Sequence, residues 1–247
     1  ARVLMQKWEP EATLELIERH RVSTSHMVPT MFHRIWRLPE PVRKKYDLSS
    51  LRCVLHGAAP CPVELKKNIL AWWGPVVYEY YGATEGGGTA ATPQDWLKKP
   101  GTVGKPWPGS TIKILGEYGE EMRGGSPGAV YMASAIGNFE YYKDPGKTQK
   151  SRQRGMFTVG DIGYLDEEGW LFLCDRQADI IISGGVNIYS AEVEEVLLAH
   201  PQVADVAVFG VPDKDWGEAV KAVVQPGEGA VAGAALAEEI MKFAREK

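Results

Sequence analysis

The chain has 247 residues, 44% of them hydrophobic, and its 28 Lys and Arg against 32 Asp and Glu give a formal net charge of −4. That balance leaves no basic footprint for nucleic acid, the apolar fraction is enough for a sizeable core, and no uncharged run approaches the ~20 residues of a transmembrane segment. Cys53, Cys61 and Cys174 form no Cys-x-x-Cys pair, and they read as reduced thiols of a cytoplasmic protein rather than a disulfide framework.

The N-terminal stretch "ARVLMQKWEPEATLEL" carries no leader pattern and starts as if inside a fold. Residues 10–20 place Leu14, Ile17 and the stem of His20 on one helical face, with Pro10 near the entry. "VSTSHMVPT" (22–30) reads as a short strand ending at Pro29, and "MFHRIWRL" returns to helix. "LRCVLHGAAP" (51–60) is an apolar strand running into a Gly-Ala-Ala-Pro loop, "CPVELKKNILAWW" a helix behind it, and "PVVYEYYG" the next strand. Strands alternating with helices at this spacing predict a mostly parallel α/β sheet over residues 1–95.

The texture then changes. Over 96–175, Gly or Pro recurs every few residues between short alternating runs such as Thr111–Leu115, which predicts antiparallel β with tight turns, Asp166–Gly169 among them. From 176 to 247 the pattern is a small α+β unit. Ser190 stands as N-cap of a helix over 190–200, "VADVAVFGVPD" reads as a buried strand, "EAVKAVVQP" as another, and "GAALAEEIMKFAREK" as a last helix.

Four loops at strand ends carry chemistry-bearing residues. "YYGATEGGG" sets Tyr81, a flat ring, beside Thr84, a hydroxyl, and Glu85, a hard oxygen donor suited to Mg²⁺. "VLHGAAP" places Gly57 and two small residues where a parallel sheet presents its carboxyl ends to ligands. "TVGDIGYL" puts Asp161 between glycines, where a carboxylate can accept ribose hydroxyls, and "DRQADIIISGGVN" offers the fork of Arg176. Each also fits a plain turn: a strand–loop corner, a tight βα turn, an Asx-turn, and an ion pair of Arg176 with Asp175 or Asp179.

Their order together resembles the adenylate-forming superfamily of acyl-CoA and aryl-CoA synthetases, peptide-synthetase adenylation domains and luciferases. "YGATEGG" resembles its Tyr-Gly-x-Thr-Glu motif and "FTVGD" its Thr-Gly-Asp motif. "DRQADIIISGGVNIYSAEVEEVL" and "HPQVADVAVFGVPDKDWGEAVKAVV" resemble the mobile C-terminal domain. The resemblance implies the later part of the large N-terminal domain, a parallel α/β sheet and then an antiparallel barrel-like subdomain, followed by a truncated small α+β domain. It implies an acid–CoA ligase that forms an acyl-adenylate from ATP, Mg²⁺ and a small-molecule carboxylic acid, then a thioester with coenzyme A. Tyr81 then stacks on adenine against Gly57, Ala58 and Ala59, Thr84 meets phosphate, Glu85 binds the metal, and Asp161 and Arg176 hold the ribose. Gly184 and Gly185 lie where the pantetheine arm enters.

The same resemblance implies an acyl pocket lined by His26, Met27, Val28, His56 and Gly82, although a lone histidine is more often simply packed or hydrogen-bonded. Acetate-activating relatives carry a tryptophan at the position of Gly82, so glycine leaves the pocket open to an acid larger than acetate. Val159 departs from the usual hydroxyl residue before Gly-Asp, and Ala178 from the Asp or Lys of the hinge. The phosphate loop and the catalytic lysine expected of the family lie outside this sequence, so the chain alone is expected to be inactive. The alternatives are a non-catalytic nucleotide-binding or interaction module, and an adenylation domain that loads a carrier protein.

Overall fold

The computed structural model describes residues 2–135, 139–227 and 229–247. Three sheets follow one another along the chain. In the first, β1 (Thr24–Met27), β2 (Cys53–His56) and β3 (Val77–Gly82) pair in parallel, and β4 (Gly88–Ala91) and β5 (Lys105–Pro106) extend it antiparallel. Helices α1 (Pro10–His20), α2 (Pro29–Trp36), α3 (Glu40–Arg43), α4 (Val63–Trp73) and α5 (Pro93–Lys98) intervene. The strand expected over 22–30 is only four residues long. Val28 is already the N-cap of α2 and Pro29 its first turn, a place where proline's missing N–H costs nothing.

One core lies on one face of this sheet. Leu14, Phe32, Ile35, Ile69 and Trp73 from the helices meet Met27, Val54 and Val77 from the strands. Inside it sits a charged pair. Lys66 falls on the apolar stripe of α4, four residues before Leu70 and seven before Trp73, so the helical period carries its ammonium inward onto Glu79 of β3. Burial draws Lys66 below its usual pKa and Glu79 above its own, each opposed by its partner.

The second sheet holds β6 (Ser110–Leu115), β7 (Gly128–Ser134), β8 (Arg152–Gln153), β9 (Met156–Phe157), β10 (Asp161–Leu165) and β11 (Leu171–Arg176), all paired antiparallel, with α6 (Pro145–Lys150) beside it. It is stitched to the first at the strand ends. Val103 N–H donates to Leu171 O at 2.9 Å, Leu171 N–H to Gly104 O at 2.9 Å, and Thr102 Oγ1 to Leu171 O at 2.8 Å. That seam lays the β3–β4 hairpin beside β10 and β11.

The third sheet runs β13–β12–β15–β14, with β12 (Ile181–Ser183), β13 (Val186–Ile188), β14 (Val203–Asp213) and β15 (Gly217–Pro226). Helices α7 (Ser190–Leu198) and α8 (Ala234–Arg245) pack Leu197, Leu236 and Ile240 on Ile181, Val203 and Val208. Two expectations are corrected here. The N-cap of α7 is Tyr189, not Ser190; the Ser190 hydroxyl donates instead to Asp175 Oδ2 at 2.9 Å, so a carboxylate from β11 accepts at the helix start. The strand expected to be buried is half open, because helices cover only one face: Val208 is buried while its neighbour Phe209 is exposed. The third unit touches the first through Arg37 Nη2 to Val203 O at 2.7 Å and Val63 N–H to Glu195 Oε1 at 3.0 Å. Among the described residues no helix is long and apolar enough to cross a membrane.

Candidate functional site

The hairpin of β3 and β4 carries the first group. Gly86 N–H donates to Ala83 O at 3.0 Å, and Gly86 and Gly87 adopt φ of +113° and +76°. Side chains rarely accept such angles, so the glycine run is required by the turn itself. The turn lifts Thr84 into solvent and leaves Glu85 half-buried. Glu85 Oε1 accepts from Tyr141 Oη at 2.8 Å. Among the described residues its second oxygen takes no hydrogen bond.

At the end of β3, Tyr81 Oη donates to Asp161 Oδ2 at 2.6 Å, linking the first sheet to the second. Burial, then the Asp161 charge, holds the Tyr81 phenol well above its usual pKa, so it remains a donor. Arg176 is the cross-strand partner of Asp161, and its Nε stands 3.6 Å from Asp161 Oδ1. The guanidinium is mostly exposed while the carboxylate is largely covered. Arg176 thus turns to Asp161, and not to Asp175 or Asp179 as a plain surface pair would have it. The β10 turn is closed by Thr158, whose Oγ1 accepts from Gly160 N–H at 3.1 Å. Ala178 sits in the exposed turn that leads from the second sheet to the third, where Asp179 N–H donates to Arg176 O at 2.9 Å.

The Gly-Ala-Ala loop follows β2. Gly57 is buried against Tyr80: a Cβ there would lie 2.6 Å from Tyr80 O and 3.0 Å from its ring. The ring nearest this loop is thus that of Tyr80, the neighbour of Tyr81. Ala58 and Ala59 are exposed, and Ala58 holds φ +72°, an uncommon conformation for a residue with a Cβ.

The five acyl-pocket candidates separate by strand alternation. His26 pairs in register with Leu55 and Leu55 with Tyr78, so His26 shares the open face with Tyr80, whose hydroxyl lies 2.9 Å from His26 Nε2. Met27 pairs with His56 and His56 with Glu79, which sends all three into the core face. Met27 and His56 are therefore corrected: both are buried under α2 and α4, His56 with its ring 5.3 Å from Phe32. Val28 is half-buried at the start of α2. Gly82 lies on the open face, but the space beside it is partly filled. A Cβ on Gly82 would stand 2.8 Å from Cη2 of Trp107, a residue the sequence reading passed over.

Gly184 and Gly185 form the turn between β12 and β13, at φ +57° and +81°. Both are exposed, and Gly184 lies so close to Trp216 that a Cβ would meet the indole at 2.6 Å.

A parallel α/β sheet, an antiparallel sheet and a small α+β unit, with Tyr, Asp and Arg gathered at their seam, define an adenylate-forming class of fold. The chain belongs to the AMP-binding enzyme family: that family's model matches residues 1–142, and the model of the AMP-binding enzyme C-terminal domain matches residues 192–247. It is 37% identical over 247 residues to a long-chain-fatty-acid–CoA ligase of Bacillus subtilis, covering 99% of this chain and 43% of the relative. It is 40% identical to a 2-succinylbenzoate–CoA ligase of Bacillus licheniformis, with 87% and 44% covered. Among solved structures, an amide bond synthetase from Marinactinospora thermotolerans superposes with a TM-score of 0.86 at 35% identity, over 98% of this chain and 49% of that one. The o-succinylbenzoate CoA synthetase of Bacillus subtilis bound to its acyl-adenylate gives 0.83 at 33%, over 98% and 48%. The chain thus spans less than half the length of these relatives.

Proposed function

We propose that this chain forms the adenylate-holding part of an ATP-dependent, AMP-forming acid–CoA ligase whose acid is larger than acetate. The observation that carries the reading is the Tyr81–Asp161–Arg176 cluster: two strand ends and a hairpin, far apart in sequence, present a flat ring, a carboxylate and a guanidinium beside the Glu85 turn. Tyr81 offers its ring to adenine, while the loop of Gly57, Ala58 and Ala59 abuts the neighbouring Tyr80. Asp161 accepts from the ribose hydroxyls, and Arg176 donates to them while neutralising the carboxylate. Thr84, exposed at the turn, donates to the α-phosphate.

Among the described residues no cluster of three or more His, Cys, Asp or Glu could hold a metal alone. A lone carboxylate beside substrate phosphates is the donor set Mg²⁺ commonly takes, and the free oxygen of Glu85 fits it. When bound, Mg²⁺ would neutralise charge building on the phosphates. In the first step a carboxylate oxygen of the acid bonds to the α-phosphorus and pyrophosphate leaves; in the second the coenzyme A thiol sulfur bonds to the acyl carbon and AMP leaves. The protein's part is positioning and charge stabilisation. The exposed Gly184–Gly185 turn is where we place the passage of the thiol arm.

Calorimetry with AMP on this chain tests the slot: Asp161→Asn is expected to weaken binding about tenfold, the loss of a charged hydrogen-bond acceptor, and an unaltered affinity would refute the assignment. Pyrophosphate exchange by the full-length protein across a panel of acids tests the activity. Glu85→Gln is expected to raise the Mg²⁺ requirement, and acetate emerging as the best substrate would refute the size assignment.

A further inference from the structure

The open face of the first sheet has a wall that the sequence pattern did not disclose. Gly82 of β3 and Gly88 of β4 are register partners, so two residues without side chains stand opposite each other. The gap is taken by the benzo edge of Trp107. A Cβ on Gly82 would lie 2.8 Å from Cη2, and one on Gly88 would lie 2.3 Å from Cη2 and 2.8 Å from Cζ2. Contacts below 3.0 Å are essentially never made by real Cβ atoms, so glycine at both positions is what admits the indole.

Trp107 is held there by backbone. Its N–H donates to Gly88 O at 3.3 Å, and its carbonyl accepts from Ser110 N–H at 2.9 Å. Ser110 Oγ in turn accepts from Gly88 N–H at 2.8 Å, closing the loop onto the hairpin. The indole is half-buried, so part of it is open to solvent. By strand alternation Gly82 faces the same side as Tyr80, whose hydroxyl reaches His26. That face therefore has Tyr80 and His26 along it and Trp107 at the hairpin end.

We propose that Trp107 is a specificity-determining residue that sets how large an acid the pocket admits. The inference rests on the reading of Gly82 as part of the acid pocket. Gly82 leaves the pocket less open than its missing side chain suggests: part of the space is taken by an indole delivered from the β5–β6 loop. The indole closes the hairpin end of that face, so it limits the bulk of the acid: branched and bicyclic acyl groups meet it sooner than a linear chain does.

The test uses the full-length enzyme with Trp107→Ala, Trp107→Phe and Gly82→Ala, and a panel of butyrate, hexanoate, benzoate, 2-naphthoate and 2,2-dimethylbutyrate. Trp107→Ala is expected to raise kcat/KM for the branched and bicyclic acids relative to hexanoate by about tenfold, the scale of one or two methylenes in an apolar pocket. KM for ATP should stay within twofold of the parent. Trp107→Phe, which keeps an apolar ring, should shift the same ratio less and decides the matter if the alanine variant does not fold. Gly82→Ala, which pushes on the indole, should lower kcat/KM for the larger acids. If Gly82→Ala changes the acid profile while both Trp107 variants leave it alone, the proposal is overturned and the pocket reading stands. If none of the three changes it, the pocket reading fails and the proposal with it.

Discussion

His56 offers a sharp test of how the first sheet is packed, and the perturbation is His56→Leu. The ring is fully buried, and neither nitrogen has a hydrogen-bond partner among the described residues; Nε2 stands 3.5 Å from Glu79 Oε2. Burial, and then the Lys66 ammonium, lower its pKa from 6.5 to about 2. The sign follows from proton counts: between about pH 2 and 6.5 the unfolded chain binds a proton at His56 that the folded chain refuses, so stability is complete above 6.5 and is lost as pH falls. Between pH 7 and pH 5 this amounts to about 2 kcal/mol, at roughly 1.4 kcal/mol per pH unit below the unfolded pKa. Leucine has a similar volume and no titrating group, and replacing an unsatisfied buried polar group by an apolar one is neutral to stabilising. Urea unfolding followed by tryptophan fluorescence, for both proteins at pH 7 and pH 5, should show the variant gaining about 2 kcal/mol on the parent at the lower pH. The difference between the two proteins removes the contributions of the other titrating groups. Equal pH dependence in both would refute the burial argument.

Lys66→Met leaves Glu79 buried without its partner and should destabilise by about 3–5 kcal/mol, while Lys66→Met with Glu79→Leu should recover most of that loss; thermal unfolding of the single and double variants checks it. Tyr81→Phe keeps the ring but removes the 2.6 Å bond to Asp161. It should weaken AMP binding about tenfold by calorimetry, on the scale of a charged hydrogen bond of about 1.5 kcal/mol. Gly184→Val meets both a φ of +57° and Trp216; in the full-length enzyme, single-turnover measurements should show thioester formation slowed more than adenylate formation, and equal slowing would remove the turn from the second step.

What could be read from the sequence divides along a physical line. Periodicity reached α1, α2 and α4 of the first unit and the β6 alternation because those patterns are local. It missed β4, whose Gly-Thr-Ala-Ala has little strand propensity and exists because β3 and β5 flank it. It also missed α5, although Thr92 and Asp95 write a capping signature in which Asp95 N–H donates to Thr92 Oγ1.

The site residues divide the same way. Tyr81, Asp161 and Arg176 were legible as types at strand ends, but the bond across eighty positions is set by the Val103–Leu171 seam, which no local pattern encodes. The misplacement of Met27 and His56 had a signal within reach. Their neighbours His26 and Leu55 cannot share a face with them in a strand of period two, so a pocket using His26 excludes the other pair. Trp107 had no such signal. "KPWPG" has no period, and only the paired absence of side chains at Gly82 and Gly88, visible once β3 and β4 are in register, makes room for this isolated aromatic of a proline-flanked loop and turns it into the pocket wall we propose.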